Sequence, residues 1–567
     1  MSTLANLGRT AALAVAILLL NASLTFYNVW PTLKIRWQGH VSVELAACVL
    51  LLVAGAALAG RVSGGVLRGL AIVWVTLVVG RYADTVAPAL YGRQINLFWD
   101  VRHLSAVGAM LADSARTGLV LAAVGGSVVG LVAVYAAARW ALGRVADAAT
   151  RAWPRRVLAA VATVVVVIGA AQQAGVLTSP LISFSPAVSR AFAHQARILV
   201  SQITTRHEPT LTSRHSTESD LARVRGADVY LVFVESYGSV SYDRPAFAEA
   251  LAPARAAFEA AVADTGRQVV SALVDSPTFG GSSWLAHVSL MTGVEARDED
   301  TNVVLMAQQR DTLVSTFDRA GYRTLALMPG LRQQWPEGAF YRFDHIYDTA
   351  QLDYRGPRFG WWTVPDQFAL ARLDVLEGAR IDAADRRPDE PRFVFFPTTS
   401  THAPFGPTAP YQPDWTRVAS ADPYAEADIA HALALTPELF DLGPGYARSV
   451  SYAYASIGGY LRQHPDRDIV MVVIGDHQPA AAVSGEGAPW EVPVHVIASR
   501  AEMLGRLRAH GFSPGLTPKR PRLGPMHQLL PTLLDAFGNR VQMVRADAHA
   551  NSRKVSPSWS ASVGPPK

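Results

Sequence analysis

The chain has 567 residues, 50% of them hydrophobic and 17% charged, and Lys+Arg 51 against Asp+Glu 46 gives a net charge of +5. A charged fraction this low, with a mean hydropathy of +0.17, excludes a disordered chain and points to a part that lies in lipid. The single cysteine, Cys48, excludes a disulfide framework and a cysteine zinc site. The basic residues are nearly all arginines without a dense stripe, so the composition gives no support to nucleic acid as a partner.

Apolar runs at 10–27, 41–60, 64–80, 117–138 and 156–176 predict five spanning helices, each near the 20 residues a bilayer needs. The third is the weakest, because Arg68 and Arg81 bracket a short apolar core. Four further runs follow the first, which reads as an anchor rather than a cleaved leader. Arg9, Arg61, Arg68, Arg139, Arg144, Arg151, Arg155 and Arg156 crowd one set of loops, so that set faces the cytoplasm and five crossings put everything after residue 176 outside. Glu44 reads as a solvated interfacial residue. The transmembrane region is thus 1–176, and 177–225 is a linker whose stretch AVSRAFAHQARILVSQI predicts an amphipathic surface helix.

A domain over 226–547 follows, and then a polar tail at 548–567. The domain alternates short β-branched runs with helical patterns: 228–235, 267–274, 323–328, 392–398, 468–475 and 492–498. Continuous apolar strands between helices predict an α/β domain with a mostly parallel sheet covered on both faces. In such sheets the ligand site lies beyond the carboxyl ends of the strands.

Three of those ends carry chemistry. The first strand runs into Glu235-Ser236, the fifth into Asp476-His477-Gln478, and the fourth into Thr398-Thr-Ser-Thr-His402. Two carboxylates and an imidazole suit a divalent ion such as zinc or manganese. A fourth piece, Gly280-Gly281-Ser282-Ser283-Trp284, opens a helical stretch, so Ser282 reads as an anion-facing nucleophile or as an ordinary helix cap. Ser283 is the rival hydroxyl. His287 and His495 read as packed or hydrogen-bonded structural histidines, and Asp275 as a turn residue or a site hydrogen-bonder.

In this order the pieces resemble the membrane-anchored, sulfatase-like branch of the alkaline phosphatase superfamily, which includes lipoteichoic-acid synthases, phosphoglycerol transferases and phosphoethanolamine transferases. The closing stretch MHQLLPTLLDAFG is similar as well. The resemblance implies that Glu235, Ser282, Asp476 and His477 hold a metal, that Ser282 is the nucleophile, and that His402 binds the substrate. It also implies a substrate contact for Trp335. The family's neighbouring Arg is Glu337 here, which leaves Arg342 as the substitute. The implied setting is a bacterial inner membrane with the domain on the periplasmic side, a phospholipid headgroup donor, and an envelope glycan or lipid acceptor.

Two departures narrow this expectation. Ser282 and Ser283 lack the following x-Pro-x-Arg of formylglycine sulfatases, which disfavours sulfate-ester hydrolysis by that route. Thr398 stands where two-metal relatives carry Asp, so one metal, zinc or manganese, is expected. Hydrolysis of a phosphoester remains an alternative, as does a non-catalytic envelope scaffold.

Overall fold

The computed structural model describes residues 2–29, 32–91, 95–101, 108, 117–177, 184–185, 187–204, 218–332, 335, 337–360, 363–382, 390–435 and 441–539. The predicted tail at 548–567 and the linker stretch 205–217 lie outside the described residues.

All five expected apolar segments contain helices: α1 (Ser2–Leu24), α2 (Val43–Ala59), α3 (Gly64–Tyr91), α4 (Thr117–Ala149) and α5 (Ala152–Gln173). Four are long and apolar enough to cross a membrane. The short one is α2, not the third segment that the arginines had marked as weak. Its 17 residues span about 26 Å at 1.5 Å per residue, because Ser42 starts the helix late by accepting from the Leu45 N–H at 3.1 Å. One face of the bundle packs inward through Leu20, Leu45, Leu52, Trp74 and Leu142. Leu18, Leu58 and Val129 point outward, 68%, 90% and 69% exposed, an arrangement suited to a hydrocarbon surrounding rather than to water.

The amphipathic stretch forms α6 (Ala187–Thr204). It is seated on the bundle by Glu44, whose Oε1 accepts from the Ser189 N–H at 2.9 Å and from its hydroxyl at 2.6 Å. Glu44, half-exposed as its sequence context suggested, also docks this helix. Phe192 of α6 fits against Gly80 of α3, where a Cβ would collide with its ring.

The outer domain is built on an eight-stranded sheet: β1 (Asp228–Val234), β2 (Gln268–Asp275), β3 (Arg323–Leu327), β4 (His345–Tyr347), β5 (Arg392–Pro397), β6 (Ile469–Gly475), β7 (Glu491–Ala498) and β8 (Ser513–Pro514). The order across the sheet is β8-β2-β7-β6-β1-β5-β3-β4. The five strands from β6 to β4 are parallel, and the three pairings beyond β6 are antiparallel. Alternation sends Val229, Leu231 and Phe233 of β1 to one face and Tyr230, Val232 and Val234 to the other. The first face is covered by α8 (Ser283–Thr292) and α11 (Leu529–Phe537). The second is covered by α7 (Pro245–Asp264), α9 (Asp366–Asp382) and α10 (Gly443–Gln463). Both faces are dry, which is why the central strands read as unbroken apolar runs.

Candidate metal and nucleophile site

β1 and β6 lie side by side in parallel, with Val234 opposite Gly475, so the residues that follow them emerge together at one edge. Gly475 is required there: a Cβ would run into the Tyr237 carbonyl oxygen. Glu235 leaves β1 with its N–H donating to the Thr398 hydroxyl at 3.1 Å, which ties the end of β5 to the same place. Ser236 then takes a left-handed conformation, φ +56°, and turns its N–H onto Asp476 Oδ1 at 2.8 Å. A non-glycine residue held in that region is costly and clusters at functional sites.

Glu235, Asp476 and His477 come together, with one ligand atom of each within 4.8 Å of the others. His477 Nδ1 donates to the Gln478 carbonyl at 2.7 Å, which fixes the tautomer and leaves Nε2 facing Glu235 Oε1 at 3.3 Å and Asp476 Oδ2 at 3.6 Å. Gln478 is itself locked, its amide donating to the Ser239 hydroxyl and the Glu491 carbonyl, both at 3.0 Å. Burial, and then the neighbouring Glu235, hold the Asp476 carboxyl well above its ordinary range. Burial opposes charge on His477, but Asp476 and Glu235 outweigh it and push the imidazole up to about 9. Glu235 goes the other way: burial raises it, and the His477 charge brings it below its ordinary range.

The set fits a divalent cation on its own chemistry. Asp476 Oδ2 is buried with no hydrogen-bond partner, and two carboxylates share an enclosed space with an imidazole nitrogen that a cation would strip of its proton.

The hydroxyl that the structure brings to this cluster is that of Ser283, the rival of Ser282. Ser283 Oγ donates to Glu235 Oε2 at 2.8 Å and lies 3.2 Å from His477 Nε2. Ser282 is the residue before α8, in a left-handed conformation with φ +61°, and its side chain makes no capping bond. A one-residue step at a helix start swings the side chain by about 100°, so only one of two adjacent serines can face the cluster.

His402 lies beyond β5, its Nδ1 donating to the Ala403 carbonyl at 2.6 Å, and its charge bears on Glu235. It lines a small cavity with Phe359, Gly360, Ser400 and Thr408. Trp335 and Arg342 are not joined to the cluster by any contact among the described residues. The Trp335 ring is half-buried, 5.7 Å from Tyr341 and 6.5 Å from Phe343, and Arg342 is exposed at the end of the 338–341 turn of helix.

His495 is structural as expected. It is fully buried, with Nε2 3.0 Å from the Tyr237 hydroxyl and Nδ1 2.6 Å from Ser271 Oγ. Asp275 pairs with Arg522 at 2.6 Å. The sequence carried no signal for the left-handed Ser236 or for the buried Tyr237, Tyr242 and Tyr454 hydroxyls that meet behind Glu235. Tyrosines scattered over 200 residues share no motif.

Residues 275–538 match the family model described as Sulfatase. The lipooligosaccharide phosphoethanolamine transferase A of Neisseria meningitidis is similar in structure, with 15% identity, 87% of this chain and 94% of that one covered, and a TM-score of 0.46. An alkaline phosphatase superfamily protein from Vibrio parahaemolyticus matches at 17% identity, over 60% of this chain and 73% of that one, with a TM-score of 0.37. The Streptococcus pyogenes phosphoglycerol transferase GacH, in complex with sn-glycerol-1-phosphate, matches at 12% identity over 60% and 81%, with a TM-score of 0.34. A search of curated proteins finds no match. The match to the Sulfatase family model over residues 275–538 takes in Ser283, Asp476 and His477, and Glu235 lies ahead of it at the end of β1.

Proposed function

We propose that the protein is a membrane-anchored, metal-dependent phosphotransferase that moves a phospholipid headgroup, phosphoglycerol or phosphoethanolamine, onto an envelope glycan or lipid. The observation that carries this reading is the Ser283 hydroxyl, held between Glu235 Oε2 and His477 Nε2 inside a sulfatase-family domain that follows a set of apolar helices. Glu235, Asp476, His477 and the Ser283 oxygen would hold one divalent ion, zinc or manganese. When bound, such an ion lowers the pKa of a ligated hydroxyl and offsets charge on phosphoryl oxygens. Thr398 favours a single ion, because its hydroxyl is spent on the Glu235 N–H and it brings no charge.

Ser283 Oγ attacks the phosphorus of the donor diester, the bond to the lipid alcohol breaks, and that alcohol leaves as diacylglycerol with a proton. Glu235 Oε2, which accepts from Ser283, aims the attacking oxygen and takes its proton, and that proton balances the one the departing lipid alkoxide picks up. His402, whose Nδ1 donates to the Ala403 carbonyl, is the candidate contact for a phosphoryl or leaving-group oxygen. An acceptor hydroxyl then attacks the phosphoserine and frees Ser283. Trp335 and Arg342 are retained as candidate headgroup contacts. Anchoring makes sense of the chemistry, since the donor's headgroup lies at the membrane surface. This reading takes α2, at the short limit of a span, as a fifth crossing, which with an inside N-terminus would set the domain on the periplasmic side of a bacterial inner membrane.

The test is the mass of the Ser283 peptide after the detergent-purified protein meets mixed phosphatidylglycerol and phosphatidylethanolamine with manganese or zinc. An adduct on wild type that is absent from Ser283→Ala is the expected result, and its mass names the transferred group. Phosphate release without any adduct or transfer product would replace the transferase with a hydrolase. A protein that binds no metal would end the catalytic reading and leave the scaffold.

A further inference from the structure

Two histidines lie in the domain beside the metal cluster, His495 fully buried and His287 half-buried, and they are treated differently. His495 has both ring nitrogens engaged, by Tyr237 and Ser271. His287 has a buried Nε2 with no hydrogen-bond partner. Its ring packs against both Phe233, 4.5 Å away, and Phe395, 5.3 Å away, which also touch each other. A corner lined by two phenylalanines suits a third apolar ring, and a polar ring nitrogen left unpaired there is a standing cost.

The position of that ring explains why the cost is borne. His287 stands four residues after Ser283 on α8, and residues four apart share one helix face. Ser283 faces Glu235 and His477, so His287 faces the same way, one turn deeper. Phe233, against which it packs, is two residues before Glu235 and on the same side of β1. The charges of both Glu235 and His477 are felt at its ring, and burial pushes the imidazole down to about 3, so it stays neutral and keeps one N–H to give. The described residues present nothing for that N–H to bond. A phosphoryl group attached to Ser283 would bring oxygen acceptors to the same helix face.

Resting on the phosphotransferase reading of the site, we propose that His287 is a hydrogen-bond donor to the phosphoryl group handled at Ser283, a substrate-binding residue waiting for its acceptor. A neutral donor suits this place: it stabilises a phosphoryl oxygen without competing with a cation for Glu235 and Asp476. The helix offers no other polar side chain on that face at that depth, since Ala286 and Leu290 beside it are core residues.

The test measures inorganic phosphate binding to the manganese-loaded full chain in detergent, for wild type, His287→Phe and His287→Asn. Phe packs against Phe233 and Phe395 as well as His does, so the thermal midpoint and manganese affinity should hold. The phosphate Kd should rise roughly tenfold or more with the loss of a hydrogen bond to a charged group. Asn keeps an N–H of shorter reach and should fall between the two, and it supplies the measurement if the Phe variant does not fold. Equal phosphate affinity in wild type and variants, or no phosphate binding by wild type, overturns the proposal. Phosphate binding needs no turnover, so the two readings separate. A wild type that binds phosphate more tightly than His287→Phe yet forms no phosphoserine keeps His287 and loses the transferase. Adduct formation with unchanged phosphate affinity loses only His287.

Discussion

Ser282 and Ser283 differ by one position and by almost everything that matters to a nucleophile. Ser283 has an acceptor for its proton at 2.8 Å and an imidazole nitrogen at 3.2 Å, while Ser282 spends its backbone on a left-handed turn. Ser283→Ala is expected to lower headgroup release by at least about a thousandfold, since loss of a nucleophile removes the covalent route altogether. Ser282→Ala is expected to cost less than about tenfold, and Ser282→Gly less still, because glycine accepts the left-handed conformation without strain. Phospholipid turnover assayed for all three, with metal content measured alongside, decides the matter; full activity in Ser283→Ala would return the role to Ser282. At this scale the sequence was readable where a residue type and a strand end coincide, as for Glu235, Asp476 and His477. It was ambiguous where two like residues adjoin, because the phase of a helix start depends on a turn whose dihedrals no residue name specifies. Trp335 and Arg342 rested on resemblance alone, and their neighbours are the 338–341 turn and its aromatic rings rather than the cluster.

The elements show why the ends of β1 and β6 can be held to such a geometry. Behind Glu235 the Tyr237 hydroxyl meets those of Tyr242 and Tyr454, each at 2.6 Å, and His495 Nε2 at 3.0 Å, so β1, β7 and α10 are joined by one buried polar knot. Burial holds the His495 imidazole down at about 3, below its ordinary 6.5. With the folded value below the unfolded one, the neutral ring contributes stability that is complete above about pH 6.5. That stability is lost as pH falls toward 3, at up to about 1.4 kcal/mol per pH unit. Thermal midpoints of wild type and His495→Gln between pH 7 and 4 check this. The variant should be less stable at pH 7, with a shallower decline toward acid, and parallel curves would remove His495 as the titrating group. The six longer strands were legible because both faces of each are buried, which makes their sequences unbroken apolar runs. β4 and β8, of three and two residues, are edge strands too short to leave a pattern. In the apolar helices the arginine bracketing of the third segment misled: α3 runs on well past Arg81, which is buried and donates to the Phe26 carbonyl at 2.8 Å. Charge in a span signals a short helix only when it has no partner to pay for its burial.

For the whole molecule, the side of the membrane on which the site works turns on one helix. With α2 crossing, the chain crosses five times, and the turn between α4 and α5 lies on the opposite side from the catalytic domain. Without it, the two remain on opposite sides but exchange places relative to the N-terminus. The arginine asymmetry argues for an inside N-terminus, and the proposed headgroup transfer serves the envelope only if the domain then lies outside. A length of 17 residues is at the lower limit of a span, and Glu44 at its start is held by Ser189 rather than buried in hydrocarbon, so the apolar part of α2 is free to cross. The lone Cys48 lies within α2, which leaves the rest of the chain free for introduced thiols. Thr150→Cys, in the α4–α5 turn, and Ser420→Cys, on the exposed surface of the domain, report the two sides in a Cys48→Ala background. A membrane-impermeant maleimide added to cells with a permeabilised outer membrane should label Ser420→Cys and leave Thr150→Cys unlabelled until the inner membrane is opened. The reverse pattern would mean that α2 does not cross, and that the headgroup at Ser283 is drawn from the cytoplasmic leaflet.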